Sequence, residues 1–88
     1  MAMVTLRAPL KDLAGGSSEL EVDGATVRVV IRRLEAEHPK LTGWILDERG
    51  QIRRHVNVFV DGERVQGDKE VRATDRLYIL ASISGGSG

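Results

Sequence analysis

The 88-residue chain contains no cysteine, which excludes a disulfide framework, a thiolate metal site, an iron–sulfur cluster and a cysteine nucleophile. Its aromatic residues are one Trp, one Tyr and one Phe, too few for the stacking platform that single-stranded nucleic acids use. Thirteen basic side chains meet thirteen acidic ones, so no net positive field draws the chain to a polyanion or an acidic membrane. No apolar run approaches the roughly 20 residues of a membrane span, and the first residues lack the basic and apolar segments of a signal peptide. These absences predict one small cytoplasmic domain with neither nucleic acid nor membrane as its partner.

Glycine, by contrast, is plentiful: the chain has ten, and three fall in the last four residues. Residues 3–8 alternate, with Val4, Leu6 and Ala8 on one side and Met3, Thr5 and Arg7 on the other, the period of a half-buried strand. Residues 11–18, with Gly15 and Gly16, read as a flexible polar connection to a second strand over 19–23 that carries Leu20 and Val22. Thr26 offers a hydroxyl N-cap, and Val27, Val30, Ile31 and Leu34 at i, i+3, i+4 and i+7 form one apolar stripe. The helix is expected to stop near Glu37 and His38, because Pro39 cannot donate a backbone hydrogen bond and restricts the residue before it.

Residues 41–51, around Trp44, show no sustained period and predict an irregular connection that plugs the core edge. Residues 55–60 alternate cleanly, placing Val56, Val58 and Val60 opposite His55, Asn57 and Phe59. Asp61-Gly62 follows, a dipeptide suited to a type I′ hairpin turn, and a short strand through Arg64 and Val65 is expected to pair back. A last strand over 76–83 sets Leu77 and Ile79 against Tyr78 and Leu80. One helix and about five strands predict an α+β roll of the β-grasp kind, a mixed sheet with one face covered. Val4, Leu6, Leu20, Val22, Val27, Val30, Ile31, Leu34, Val56, Val58, Leu77 and Ile79 are the expected core.

Little in this pattern carries chemistry of its own. His38 and His55 have no second imidazole at ligand spacing, and no carboxylate pair is placed for general acid and base work, so neither a metal site nor a catalytic centre is expected. Gly15-Gly16 lacks the downstream Lys-Ser/Thr of a phosphate loop. Arg28 and Arg32 read as an exposed helix face answered by Glu35 and Glu37. The end of the chain differs. No apolar residue follows Ile83, so residues 1–83 read as the folded domain and residues 84–88, Ser-Gly-Gly-Ser-Gly, as a projecting tail. Bare glycine backbone can thread a narrow cleft and adopt dihedrals that a Cβ forbids.

Residues 55–65, His-Val-Asn-Val-Phe-Val-Asp-Gly-Glu-Arg-Val, then Thr74-Asp75-Arg76-Leu77-Tyr78-Ile79-Leu80, then Gly85-Gly86, together resemble the second half of the ubiquitin-like sulfur carriers. That family includes the thiamine carrier, the small subunit of molybdopterin synthase and the actinobacterial cysteine-biosynthesis carrier, and the Trp-containing loop looks most like the last. The resemblance implies a ubiquitin-like β-grasp fold and a protein co-substrate rather than an enzyme. In such carriers an E1-like adenylating enzyme uses ATP to activate the C-terminal glycine, sulfur replaces AMP, and the thiocarboxylate donates sulfur to an accepting synthase. By position, Gly86 is then the site of adenylation and thiocarboxylate formation, and Gly85 supplies steric clearance. No cofactor is bound by the chain itself.

Two departures accompany the resemblance. Ser87 and Gly88 follow Gly86, so either a JAMM-type metallopeptidase removes them, or they do not belong to the natural chain, or Gly88 is the activated residue. Ala81 and Ser82 also stand where the family often has a proline. Partner docking is expected on the sheet face opposite the helix, through Phe59, Tyr78, Leu80 and Ile83, unless the Trp44 loop folds over it. The alternatives are a ubiquitin-like modifier joined to lysines and a β-grasp interaction domain with an inert tail.

Overall fold

The computed structural model describes residues 1–81. Its elements run β1 (Ala2–Leu6), α1 (Leu10–Leu13), β2 (Glu19–Val22), α2 (Val27–Glu37), a 3-10 turn (Pro39–Leu41), β3 (Val56–Val60), β4 (Glu63–Val65) and β5 (Arg76–Ala81). The strands form one sheet in the order β2-β1-β5-β3-β4. β1 and β5 pair in parallel at its centre, with Val4 opposite Leu77 and Leu6 opposite Ile79. The outer pairs β1–β2, β3–β5 and β3–β4 are antiparallel. This is the expected ubiquitin-like β-grasp fold.

α2 forms where its apolar stripe and its cap agree. Val27, Val30, Ile31 and Leu34 are all buried, and Thr26 Oγ1 accepts the Val29 N–H at 3.3 Å. Two further first-turn donors are satisfied from the segment before β5: Val27 N–H reaches the Lys69 carbonyl and Arg28 N–H the Gly67 carbonyl. The helix ends where Pro39 requires, with His38 N–H donating to the Leu34 carbonyl. Asp61 and Gly62 both have positive φ, 51° and 88°, the twist-matched geometry that closes the β3–β4 hairpin.

The structure corrects three expectations. Residues 11–18 are not a uniformly flexible connection, because α1 buries Leu10 and is followed by buried Ala14. Leu20 is only partly buried, since β2 is an edge strand with cover on one side. The arginines of α2 are not simply a solvated face: Arg28 Nε donates to the Gly50 carbonyl at 2.8 Å and clasps the 42–55 loop to the helix. Gly50, at φ 80°, also leaves room for the neighbouring Arg32, whose guanidinium a Cβ there would meet. Leu41, Ile45 and Leu46 from the same stretch fill the core edge, as expected for this connection.

Replacing Thr26 by alanine removes one helix cap and is expected to cost about 1 kcal/mol. A thermal melt is expected to show a loss of roughly 4–8 °C for a domain of this size, with the fold otherwise unchanged.

Candidate functional site

A single helix covers a single side of the sheet, and the strand period then decides which residues face away from it. Val56, Val58, Val60, Leu77 and Ile79 are buried beneath α2. Phe59, Tyr78 and Leu80 alternate with them and lie on the opposite face. Register brings them together: Phe59 is the cross-strand partner of Tyr78, and Leu80 that of Asn57. Phe59 and Tyr78 are half-buried, while Leu80 is 37% exposed, a large apolar side chain in contact with solvent. The three line a shallow, open cleft of about 450 Å³ together with Arg7 and Gly62.

Sequence reasoning found the apolar part of this cleft and missed the rest. Arg7 reaches it because β1 runs parallel to β5, which sets Leu6 beside Ile79 and the next residue beside Leu80. The parity of Arg7 with Met3 and Thr5 was visible, but the parallel pairing was not. Trp44 stays 43% exposed and does not line the cleft, so the 42–55 loop leaves this face open. Ile83, Gly85 and Gly86 lie outside the described residues. Ala81, the last described residue, is paired with Val56 at the start of β3.

The 42–55 loop, which delivers the chain into β3, is held by polar contacts. Asp47 Oδ1 accepts the Arg49 N–H at 2.8 Å and the Gln51 N–H at 2.9 Å. The hydrogen bond from the Gln51 N–H, seconded by the one from the Arg49 N–H, holds the Asp47 carboxyl below the usual carboxylate range. Glu35, on α2 beside this loop, is shifted the other way. Burial pushes its carboxyl up, against the opposing influence of the Leu46 N–H and of Arg32 and Arg53. Its Oε2 is buried without a hydrogen-bond partner among the described residues. Among those residues no group of three His, Cys, Asp or Glu side chains is arranged to hold a metal ion, and no helix is long and apolar enough to cross a membrane.

A five-stranded sheet under one main helix, with an open apolar face beside the exit of its central strand, is the architecture of a ubiquitin-like carrier or modifier domain. The chain belongs to the ThiS family, which it matches over residues 4–86. Among curated proteins it is similar to small archaeal modifier protein 1 of Haloferax volcanii, at 32% identity over 83 residues, covering 92% of this chain and 95% of that one. Among solved structures it superposes on a chain of the Amycolatopsis orientalis BexX/CysO complex with a TM-score of 0.88 at 30% identity, covering 98% of this chain and 100% of that chain. It superposes on Mycobacterium tuberculosis CysO with a TM-score of 0.86 at 25% identity, covering 94% of this chain and 100% of that chain. Proteins of this group are small carriers and modifiers rather than enzymes.

The raised Glu35 pKa carries a definite pH signature. A carboxyl whose folded-state value lies above its unfolded value favours the fold fully below the unfolded pKa, and that contribution is lost as pH rises through the folded one. Glu35→Gln keeps an oxygen for the Leu46 N–H and cannot ionise. Thermal melts between neutral and acidic pH are expected to show the variant more stable than the parent chain at neutral pH, with the difference shrinking as pH falls.

Proposed function

We propose that this protein is a sulfur carrier whose Gly86 carboxylate is adenylated by an E1-like enzyme and converted to a thiocarboxylate that donates sulfur in biosynthesis. The observation that carries this reading is the position of β5. It lies between β1 and β3, and its last described residue, Ala81, remains paired to Val56. Gly86 is five residues further on, a reach of at most about 17 Å from a fixed point. A partner can therefore grip the sheet and take the glycyl end into a catalytic channel at once. The family match runs through Gly86, which supports that residue as the acyl carrier and Gly85 as its narrow neighbour.

The chemistry asks little of the chain itself. A carboxylate is a poor electrophile; attack of its oxygen on the ATP α-phosphorus, with release of pyrophosphate, turns it into an acyl-adenylate. A sulfur nucleophile then adds to the carbonyl carbon, the new C–S bond forms as the C–O bond to AMP breaks, and the thiocarboxylate remains. ATP and the catalytic groups belong to the partner, and the carrier contributes the glycyl carbonyl and a docking face. Phe59, Tyr78 and Leu80 supply that face, to which the sequence adds Ile83, since an open apolar cleft toward the end of the last strand is a recognition surface. Removal of Ser87 and Gly88 by a JAMM-type metallopeptidase precedes activation. The likeness to CysO favours cysteine or another sulfur-containing metabolite as the destination of the sulfur.

The likeness to small archaeal modifier protein 1 supports a second reading, in which the same glycyl adenylate is passed to lysines of other proteins. Both readings share the activation step and divide at the acceptor.

Incubation of a chain ending at Gly86 with an E1-like adenylating enzyme, ATP and sulfide separates them from an inert tail. Intact mass spectrometry is expected to show a product heavier by the difference between sulfur and oxygen; an unchanged mass overturns the carrier reading, and isopeptide-linked conjugates in cells favour the modifier. Leu80→Asp, at an exposed position, is expected to leave the melting curve nearly unchanged while weakening binding to the adenylating enzyme by about tenfold or more, as titration calorimetry reads it.

A further inference from the structure

Three arginines stand on the open face of the sheet around its apolar centre. Arg64 is the cross-strand partner of Phe59. Arg76 shares its side of β5 with Tyr78, two residues before it, and Arg7 lines the cleft beside Leu80. With strands about 4.8 Å apart and like-facing residues about 7 Å apart along a strand, each guanidinium is within reach of the cleft's edge. All three residues are exposed. Among the described residues, the side-chain hydrogen bond that an arginine donates is that of Arg28, on the helix side. The acidic residues of the open face, Glu19 and Glu21, sit on β2, paired to Thr5 and Met3 of β1 and so on the far side of that strand from the cleft.

A chain with no net charge therefore gathers three arginines around Phe59, Tyr78 and Leu80, with Glu19 and Glu21 along the β2 edge and Asp61 and Glu63 in the β3–β4 hairpin. Arginine and tyrosine are the side chains that dominate well-packed protein interfaces, arginine because its planar guanidinium matches a carboxylate in two hydrogen bonds. Like charges gathered on one face repel one another in the free protein and find compensation in a surface of opposite sign.

Resting on the carrier reading, we propose that the adenylating enzyme meets this face with an apolar side chain seated in the cleft and carboxylates opposite Arg7, Arg64 and Arg76. The arginine rim speeds encounter and sets the rotation of the carrier about the cleft, because Glu19 and Glu21 make the field lopsided. The rotation in turn aims the end of β5 at the catalytic channel. The apolar centre supplies adhesion and the rim supplies direction.

The test is the steady-state rate of adenylation of the chain ending at Gly86, the parent for every variant, by the E1-like enzyme of the same organism, at ionic strengths from about 0.05 to 0.5 M. Arg64→Glu and Arg76→Glu are expected to raise KM for the chain by about three- to tenfold at low salt, with kcat unchanged and the difference shrinking as salt rises. Arg33→Glu, an exposed helix position, changes net charge equally and is expected to leave KM as it was. A thermal melt of each variant confirms its fold. Equal KM values for parent and sheet variants at low salt overturn the proposal while leaving the carrier reading intact, as does an equal rise for Arg33→Glu. Failure of the parent chain to be adenylated overturns both.

Discussion

One helix cannot cover both faces of a five-stranded sheet. α2 closes one side over Val4, Leu6, Val58, Leu77 and Ile79, and the other side is left to Tyr78, Phe59 and Leu80. Everything else in the molecule follows from that inequality. The central strands, buried beneath the helix, give the end of β5 a rigid base. In the proposed function, the uncovered face is what a partner holds beside it. Rigidity and exposure are thus supplied by opposite sides of the same three strands.

The loops around this sheet keep the arrangement in place. The Gly67 and Lys69 carbonyls accept hydrogen bonds from the first N–H groups of α2, so the segment leading into β5 and the helix are tied together at the end of the sheet away from Ala81. Arg28 ties the 42–55 loop to the same helix through Gly50, and the Asp47 turn shapes that loop before it enters β3. Arg28 is therefore part of the scaffold, and reading it as an exposed helix face holds only until its partner is known. Arg7, Arg64 and Arg76 are of another kind, as each lies on the face with no cover.

Much of this was legible from sequence because the periods are strong. The alternation of residues 55–60, the positive-φ turn at Asp61-Gly62 and the apolar stripe of α2 each have a single physical reading, and each recurs in the structure. The apolar centre of the cleft was readable for the same reason, since Phe59, Tyr78 and Leu80 must face away from Val58 and Ile79. What was not readable depended on contacts distant in sequence. The parallel pairing of β1 with β5 brings Arg7 to the cleft, and no local pattern announces it. α1 is one turn long, too short to show a helical period, so the burial of Leu10 and Ala14 appears only when the core closes over them. The clasp of Arg28 on Gly50 spans 22 positions and has no sequence signal at all.

The chain belongs to the ThiS family and is similar both to CysO and to a small archaeal modifier, so the family spans carriers and modifiers built on this one fold. The central claim is that its glycyl terminus carries sulfur. The most direct measurement is tandem mass spectrometry of the C-terminal peptide of the protein isolated from its own cells during sulfur demand. A peptide ending at Gly86 as a thiocarboxylate is the expected result. A peptide ending only at Gly88 as an ordinary carboxylate contradicts the account.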